Sequence, residues 1–274
     1  MTLKEIYDHL ASRLPVEHIP LTWDSTGYTS QAFNCYAGDP AFTGWTGDLP
    51  TVEEVRVIVK LLRAQAGDSL LDVACGYGRH ALTLAGQYGI KVTGIDFSPG
   101  LIATAKRLAE ERGLEITCEV RHAKNLPWHN AFDHAMIVYN SFSLFSPADA
   151  PVVLRGIHRA LRPGGRLFLD LDNKPFNCRY GISDTNWDMW PGGLTLQEIY
   201  FHEDSSVEVC RDLILKTDAE RVEEFVIFKR IYSQGEILEL LSDCGFRVDG
   251  IYGGWDLSPL GDESPKMLLV GVKA

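Results

Sequence analysis

The sequence predicts a doubly wound α/β fold: a mostly parallel seven-stranded sheet with an antiparallel C-terminal hairpin, plus a small antiparallel β insertion after strand five. Three observations carry this expectation. Between residues 51 and 172, short apolar runs alternate with single helical stripes, the pattern of right-handed crossovers covering both faces of a parallel sheet. The first of those runs passes through Gly76 and Gly78 directly into a helix. The last two runs, 246–252 and 266–272, are joined by a loop too short for a crossover helix, so they should pair antiparallel.

In chain order, residues 3–13 read as a short amphipathic helix. Residues 15–50 carry Pro, Gly and the aromatics Trp23, Tyr28, Phe33, Tyr36, Phe42 and Trp45 without periodicity, which suits an ordered covering segment. Thr51 and Glu54 have capping-box spacing, and Val52, Val55, Ile58/Val59 and Leu62 continue a helical stripe. Strands are expected at 69–74, 91–95, 115–120, 132–139 and 166–171. The helices between them include one with Ser98 at its N-cap and Pro99 at its first position, and another from about Pro147 to Leu161. Arg162-Pro163-Gly164-Gly165 separates that last helix from strand five.

After residue 172 the period changes. Segments 194–201, 207–215 and 219–231 resemble three strands without intervening helices, with turns at Asp204-Ser205 and Thr217-Asp218. Val207/Val209 and Phe225/Ile227 alternate as one buried face. Ser233 with Glu236 then forms a second capping box, opening a helix to about Cys244. The expected organisation is an N-terminal helix and lid (1–50), a main domain (51–172 and 233–274) and the insertion (173–232). The insertion either roofs a pocket or offers a strand edge for homodimer formation.

Of 274 residues, 26 are Lys or Arg and 37 are Asp or Glu, a net charge of −11. Phosphate backbones repel such a chain unless it carries basic clusters, and no long basic run is present, so nucleic acid is disfavoured as a partner. No run reaches the ~18 apolar residues of a membrane helix. Residues 1–6 lack the apolar stretch of a secretory leader. Cys35, Cys75, Cys118, Cys178, Cys210 and Cys244 show no C-x-x-C spacing, which fits reduced thiols in a cytoplasmic protein and no metal site.

The chemistry concentrates in Leu70-Leu71-Asp72-Val73-Ala74-Cys75-Gly76-Tyr77-Gly78-Arg79-His80-Ala81, a strand–glycine turn–helix unit whose backbone can approach a ligand beside a helix N-terminus. Gly76-x-Gly78-x-x-Ala81 also fits a dinucleotide fingerprint. Asp96, twenty residues after Gly76, can accept both hydroxyls of a ribose. This much leaves NAD and other adenosine cofactors open. Three features break the tie: Asp72 inside strand one, Leu161-Arg162-Pro163-Gly164-Gly165 before strand five, and the antiparallel terminal hairpin.

Together these resemble the class I S-adenosylmethionine-dependent methyltransferases, over roughly 51–172 and 233–274. The resemblance implies S-adenosylmethionine as cofactor, with contacts from Asp72, Ala74, Gly76, Gly78, Arg79, Asp96, Phe97, His122, Ala123 and Tyr139. In the family an acid bonds the adenine amine from the place occupied here by His122, within Arg121-His122-Ala123-Lys124-Asn125-Leu126-Pro127-Trp128. That is a departure; the backbone of Ala123 remains for the ring. Tyr139-Asn140-Ser141-Phe142 and the insertion look most like small-molecule methyltransferases, some of which act on amines. The expected function is methyl transfer to a nitrogen or oxygen of a small molecule by in-line displacement. Tyr139, Asn140 and Asp172, with Asp170 beside them, are the substrate-positioning candidates.

Other residues carry weaker expectations. His129 is a surface histidine or a base, Cys75 a packed thiol, and Arg79 either a partner of the cofactor carboxylate or solvent-facing. All six tryptophans fall in segments read as loops, where they either shape a pocket or seal loops onto the core. Two competing functions remain: an NAD-dependent oxidoreductase, supported by the fingerprint and Asp96, and a non-catalytic cofactor-binding regulatory protein, supported by the departure at His122.

Overall fold

The computed structural model of the protein describes residues 4, 12–21, 48–181, 183–190, 193–216 and 222–274. Most of the helix expected over 3–13, the six aromatics of the lid segment and the turn Thr217-Asp218 lie outside the described residues.

Seven strands form the main sheet: β1 (Ser69–Val73), β2 (Lys91–Asp96), β3 (Thr117–Val120), β4 (Phe132–Ile137), β5 (Leu161–Asp172), β10 (Phe246–Tyr252) and β11 (Lys266–Lys273). Their order is β10-β11-β5-β4-β1-β2-β3. The pairs β1–β2, β2–β3, β1–β4 and β4–β5 are parallel, whereas β11 runs antiparallel to both β5 and β10. The fold is therefore a doubly wound α/β sheet with an antiparallel C-terminal hairpin. Because β1 pairs with β2 on one side and β4 on the other, the strand order reverses at β1. In open sheets a ligand crevice lies at such a reversal, beyond the carboxyl ends of the strands.

Local sequence explains the helices that cover this sheet. Helix α1 (Asp48–Leu62) buries Val55, Ile58 and Leu62, at helical spacing, against Leu70, Val92 and Leu268. Helix α2 is Arg79–Tyr88. Helix α3 (Pro99–Arg112) starts where Ser98 and Pro99 dictate, with the Ser98 hydroxyl accepting from the Leu101 N–H at 3.2 Å. Helix α4 (Ala150–Ala160) packs Val153, Leu154 and Ile157 onto the opposite face. Helix α6 (Gln234–Asp243) opens on the expected Ser233–Glu236 capping box, with both reciprocal hydrogen bonds present.

Several expectations need correction. Thr51 and Glu54 do not cap a helix, because α1 begins at Asp48 and leaves both inside it. Strand β5 begins at Leu161, so the Arg162–Gly165 turn is an irregularity within the strand. The insertion has four strands, not three: β6 (Ser183–Trp190), β7 (Gly193–His202), β8 (Val207–Lys216) and β9 (Val222–Arg230), paired antiparallel in that order. Strand β6 has few strand formers among Asp184, Asn186 and Asp188, and pairing with β7 along its whole length overrides that propensity. Trp187 and Trp190 therefore sit in a strand rather than a loop. Helix α5 (Lys174–Tyr180), only seven residues long, is too short to show a period.

Strand β8 also departs from simple alternation, since residues 207–214 are buried on both faces. Val207 and Val209 pack against Val16 of a short 3-10 turn (Val16–His18), and the Arg211 guanidinium donates to the Leu14 carbonyl at 2.7 Å. On the other face Glu208 accepts from Lys229 at 2.7 Å and from Asn177 at 3.2 Å. The insertion sheet is thus held between an N-terminal segment and the main domain, and β9 lies against a second 3-10 turn, Ser141–Leu144.

Candidate cofactor and substrate site

The carboxyl ends of β1 and β2 bring the two acids of the glycine turn together. Asp96 is buried and organises that turn: its carboxylate accepts from the Gly76 N–H at 3.0 Å and the Ser98 N–H at 2.9 Å. Burial raises its proton affinity, and the backbone bonds from Ser98, Gly76 and Phe97 work against that rise. Gly76 has φ +57°, and nothing lies within 4 Å of where its Cβ would be, so the turn borders open space. Ala74, two residues earlier, is also held at positive φ, a strain of the kind that gathers at ligand sites.

Asp72 is the more unusual acid. It is 3 % exposed, and its Oδ2 has no hydrogen-bond partner. Burial, reinforced by the neighbouring Cys118 and Asp96, pushes its carboxyl up to about 8, while Arg79 pulls it down. An orphaned carboxylate oxygen in such a place fits a cation. An adenosine cofactor ending in an α-amino acid would offer an ammonium to Asp72 and ribose hydroxyls to Asp96. On these two observations the residues fit S-adenosylmethionine.

Arg79 does not simply face solvent. Its Nη1 donates to the Thr51 hydroxyl at 2.9 Å and to Glu54 at 2.5 Å, and its guanidinium lies 5.3 Å from the centre of the Tyr139 ring. The same Glu54 oxygen is 2.8 Å from Nε2 of the buried His80. Burial would raise Glu54, but the bonds from His80 and Arg79 outweigh it and hold the carboxyl below its ordinary value.

Phe97 and His122, at the ends of β2 and β3, place their ring centres 6.4 Å apart beside Asp96. His122 Nδ1 accepts the Lys124 N–H at 3.2 Å, which puts the proton of the neutral ring on Nε2. Ala123 is buried next to it.

Beyond β4 and β5 stands a second cluster. Tyr139 and Asn140 take φ values of +60° and +54°, two consecutive non-glycine residues in the left-handed region. Both are pinned from β5: the Tyr139 N–H donates to Asp170 Oδ2 at 2.8 Å, and Asn140 Nδ2 to Asp172 Oδ2 at 2.5 Å. Tyr139 remains 65 % exposed while Asn140 is buried. Asp170 is not solvated, as an exposed carboxylate would be; it is 2 % exposed with Oδ1 unpartnered by any hydrogen bond. Lys266 Nζ lies 2.7 Å from Asp172 and 3.7 Å from Asp170. Burial disfavours the Lys266 charge, and the two carboxylates more than compensate, raising its proton affinity.

Sequence reasoning missed Glu54, Thr51 and Lys266. The first two are read as a helix cap by their spacing, while their role is set by contacts 25 or more residues away. Lys266 carried a usable signal, since it opens the terminal strand directly opposite Asp172. His129 is exposed, and Cys75 is buried against Cys118. Trp128 packs edge-on against Phe132 and Trp255 lies against Phe168, so both seal loops onto the core. Among the described residues no cluster of His, Cys, Asp and Glu is arranged to hold a metal ion, and no helix is long and apolar enough to cross a membrane.

The sequence model of the methyltransferase-domain family matches residues 70–165, the stretch that runs from β1 to the turn within β5. This stretch belongs to the class I S-adenosylmethionine-dependent methyltransferases.

Relatives of this methyltransferase domain include an O-methyltransferase of Aspergillus sclerotiorum, 35 % identical over 126 residues, covering 44 % of this chain and 46 % of that protein. A demethylmenaquinone methyltransferase of Listeria welshimeri is 36 % identical over 114 residues, covering 40 % and 47 %. The matched part thus spans about half the length of these curated relatives. Among solved structures, an S-adenosylmethionine-dependent methyltransferase from Clostridium acetobutylicum superposes with a TM-score of 0.69 over 99 % of both chains at 13 % identity. A sugar N-methyltransferase from Streptoalloteichus does so with a TM-score of 0.67 at 19 % identity, over 96 % of this chain and 99 % of that one. At these identities the likeness is one of fold, and it extends through the insertion as well as the methyltransferase domain.

Proposed function

We propose that the chain is a methyltransferase that moves the methyl group of S-adenosylmethionine to a nitrogen or oxygen of a small molecule. The observation that supports this best is the Tyr139–Asn140–Asp170–Asp172–Lys266 cluster beyond β4 and β5, beside the glycine turn that ends β1. The cofactor supplies an already activated methyl group, so the protein's task is to align the acceptor, exclude water and hold charge. Tyr139 presents an exposed aromatic face, fixed by Arg79 on one side and by Asp170 through the backbone. Asn140 and Lys266 hold the Asp172 carboxylate in one orientation. Two carboxylates against one ammonium leave this end of the crevice acidic, which favours an acceptor with an amine or a hydroxyl to donate.

A general base is needed only where that acceptor must lose a proton. In that case Asp172, the more exposed of the two acids, would be the group to take it. The five described cysteines are free thiols, which supports a reducing, cytoplasmic setting. The oxidoreductase reading keeps only the glycine turn and Asp96.

The test is transfer of labelled methyl from S-adenosylmethionine to a panel of small amines, amino sugars and phenols. The expected result is label in an amine or hydroxyl compound, with Asp172→Asn slower by about tenfold or more, as for loss of a positioned acid or base. Binding of the cofactor without transfer to any class of acceptor would favour the regulatory reading instead.

A further inference from the structure

Arg79 stands at the first position of α2, where the positive end of a helix makes a cation unwelcome. It is nevertheless only 14 % exposed, and it spends Nη1 on Thr51 and Glu54 of α1. Among the described residues its Nε and Nη2 meet no hydrogen-bond acceptor. The guanidinium is therefore fixed from one side, by Glu54 and Thr51, and stacked on another, by Tyr139, with donors left over. Asp72 is near enough to feel its charge. A buried carboxylate in want of a cation beside an anchored guanidinium with unused donors is the complement of an α-amino acid zwitterion.

We infer that Glu54 is a positioning residue of the cofactor site, which orients Arg79 so that its free donors meet the carboxylate of the cofactor's amino acid end. Glu54 touches neither cofactor nor acceptor. It acts through Arg79, and His80, buried and bonded to the same oxygen, fixes Glu54 in turn. Helix α1, outside the family-matched residues 70–165, thereby becomes part of the cofactor site. A carboxylate near Glu54 would meet repulsion, so the gain depends on the orientation of Arg79, and that is what a test must isolate. The inference rests on the methyltransferase reading.

The experiment titrates wild-type protein, Glu54→Ala and Glu54→Gln with S-adenosylhomocysteine and with the analogue whose amino acid end is a plain aminopropyl chain, lacking the carboxylate. Wild type is expected to prefer S-adenosylhomocysteine by about tenfold or more, the scale of one charge-assisted hydrogen-bonded pair. Glu54→Ala should lose most of that preference, its affinity for S-adenosylhomocysteine falling by a much larger factor than its affinity for the aminopropyl compound. Glu54→Gln, which keeps the volume and one acceptor for Arg79, should recover part of it and stands in if the alanine variant does not fold. Equal weakening toward both compounds would mean a merely structural role and overturn the inference. An unchanged or enlarged preference in both variants would overturn it too. Failure of wild type to bind either compound would instead overturn the methyltransferase reading, and this inference with it.

Discussion

Asp96→Ala is expected to weaken binding of S-adenosylhomocysteine by about 100-fold or more, since the two charge-assisted hydrogen bonds proposed between it and the ribose hydroxyls would be worth roughly 1.5–3 kcal/mol each. The substitution also removes the acceptor of the Gly76 and Ser98 N–H groups, at 3.0 and 2.9 Å, so the glycine turn loses its anchor at the same time. Both losses act on the same ligand. Isothermal titration of the variant, with circular dichroism to confirm folding, checks the effect. Unaltered affinity in a folded variant would remove Asp96 from the site.

The second large effect concerns Asp72. Its folded carboxyl, raised to about 8 chiefly by burial, keeps its proton over a pH range in which the unfolded carboxyl has already lost it. Stability contributed by this group is therefore intact below about pH 4 and is lost as pH rises toward 8. A shift of this size is worth on the order of 5 kcal/mol. Asp72→Asn removes the titration. The variant's melting temperature without cofactor should rise relative to wild type as pH climbs from 5 to 8, and the gap should shrink toward acid pH. Binding runs the other way. A cofactor ammonium held beside Asp72, as proposed, would favour the ionised form, so wild type should release up to about one proton on binding at pH 7, and Asp72→Asn none. Binding heats measured in buffers of different ionisation enthalpy report that proton. Equal heats in the two buffers for wild type would contradict this role for Asp72.

The features legible in the sequence are those whose cause is local. The Ser98-Pro99 helix start, the Ser233–Glu236 capping box and the Gly76–Gly78 turn each depend on contacts within a few residues, and each stands where its residues place it. The hairpin at the C-terminus was also readable, because a short loop leaves only one way to pair. Strand β6 was not. Asp184, Asn186 and Asp188 disfavour a strand, and only register with β7, itself paired to β8, supplies the hydrogen bonds that make one. The buried polar face of β8 was hidden for a similar reason, since Glu208 is matched by Lys229 on β9 and Asn177 on α5.

The candidate site divides along the same line. Asp72, Gly76, Gly78 and Asp96 lie within a single strand–turn–helix–strand unit, so a short window of sequence contains them all. Glu54 looks like a helix cap until α1 and α2 are packed together, and then its spacing from Thr51 serves Arg79 instead. Asp170 reads as one more acid at a strand end until the left-handed turn at Tyr139 and the approach of Lys266 bury it.

The measurement that bears most directly on the central claim is calorimetric titration of the purified protein with S-adenosylmethionine, S-adenosylhomocysteine and NADH side by side. The expected result is micromolar binding of the first two and none of the third. Binding of NADH alone would contradict it: Asp96 and the glycine turn would then serve a nicotinamide cofactor, and Asp72 would have no cation to meet.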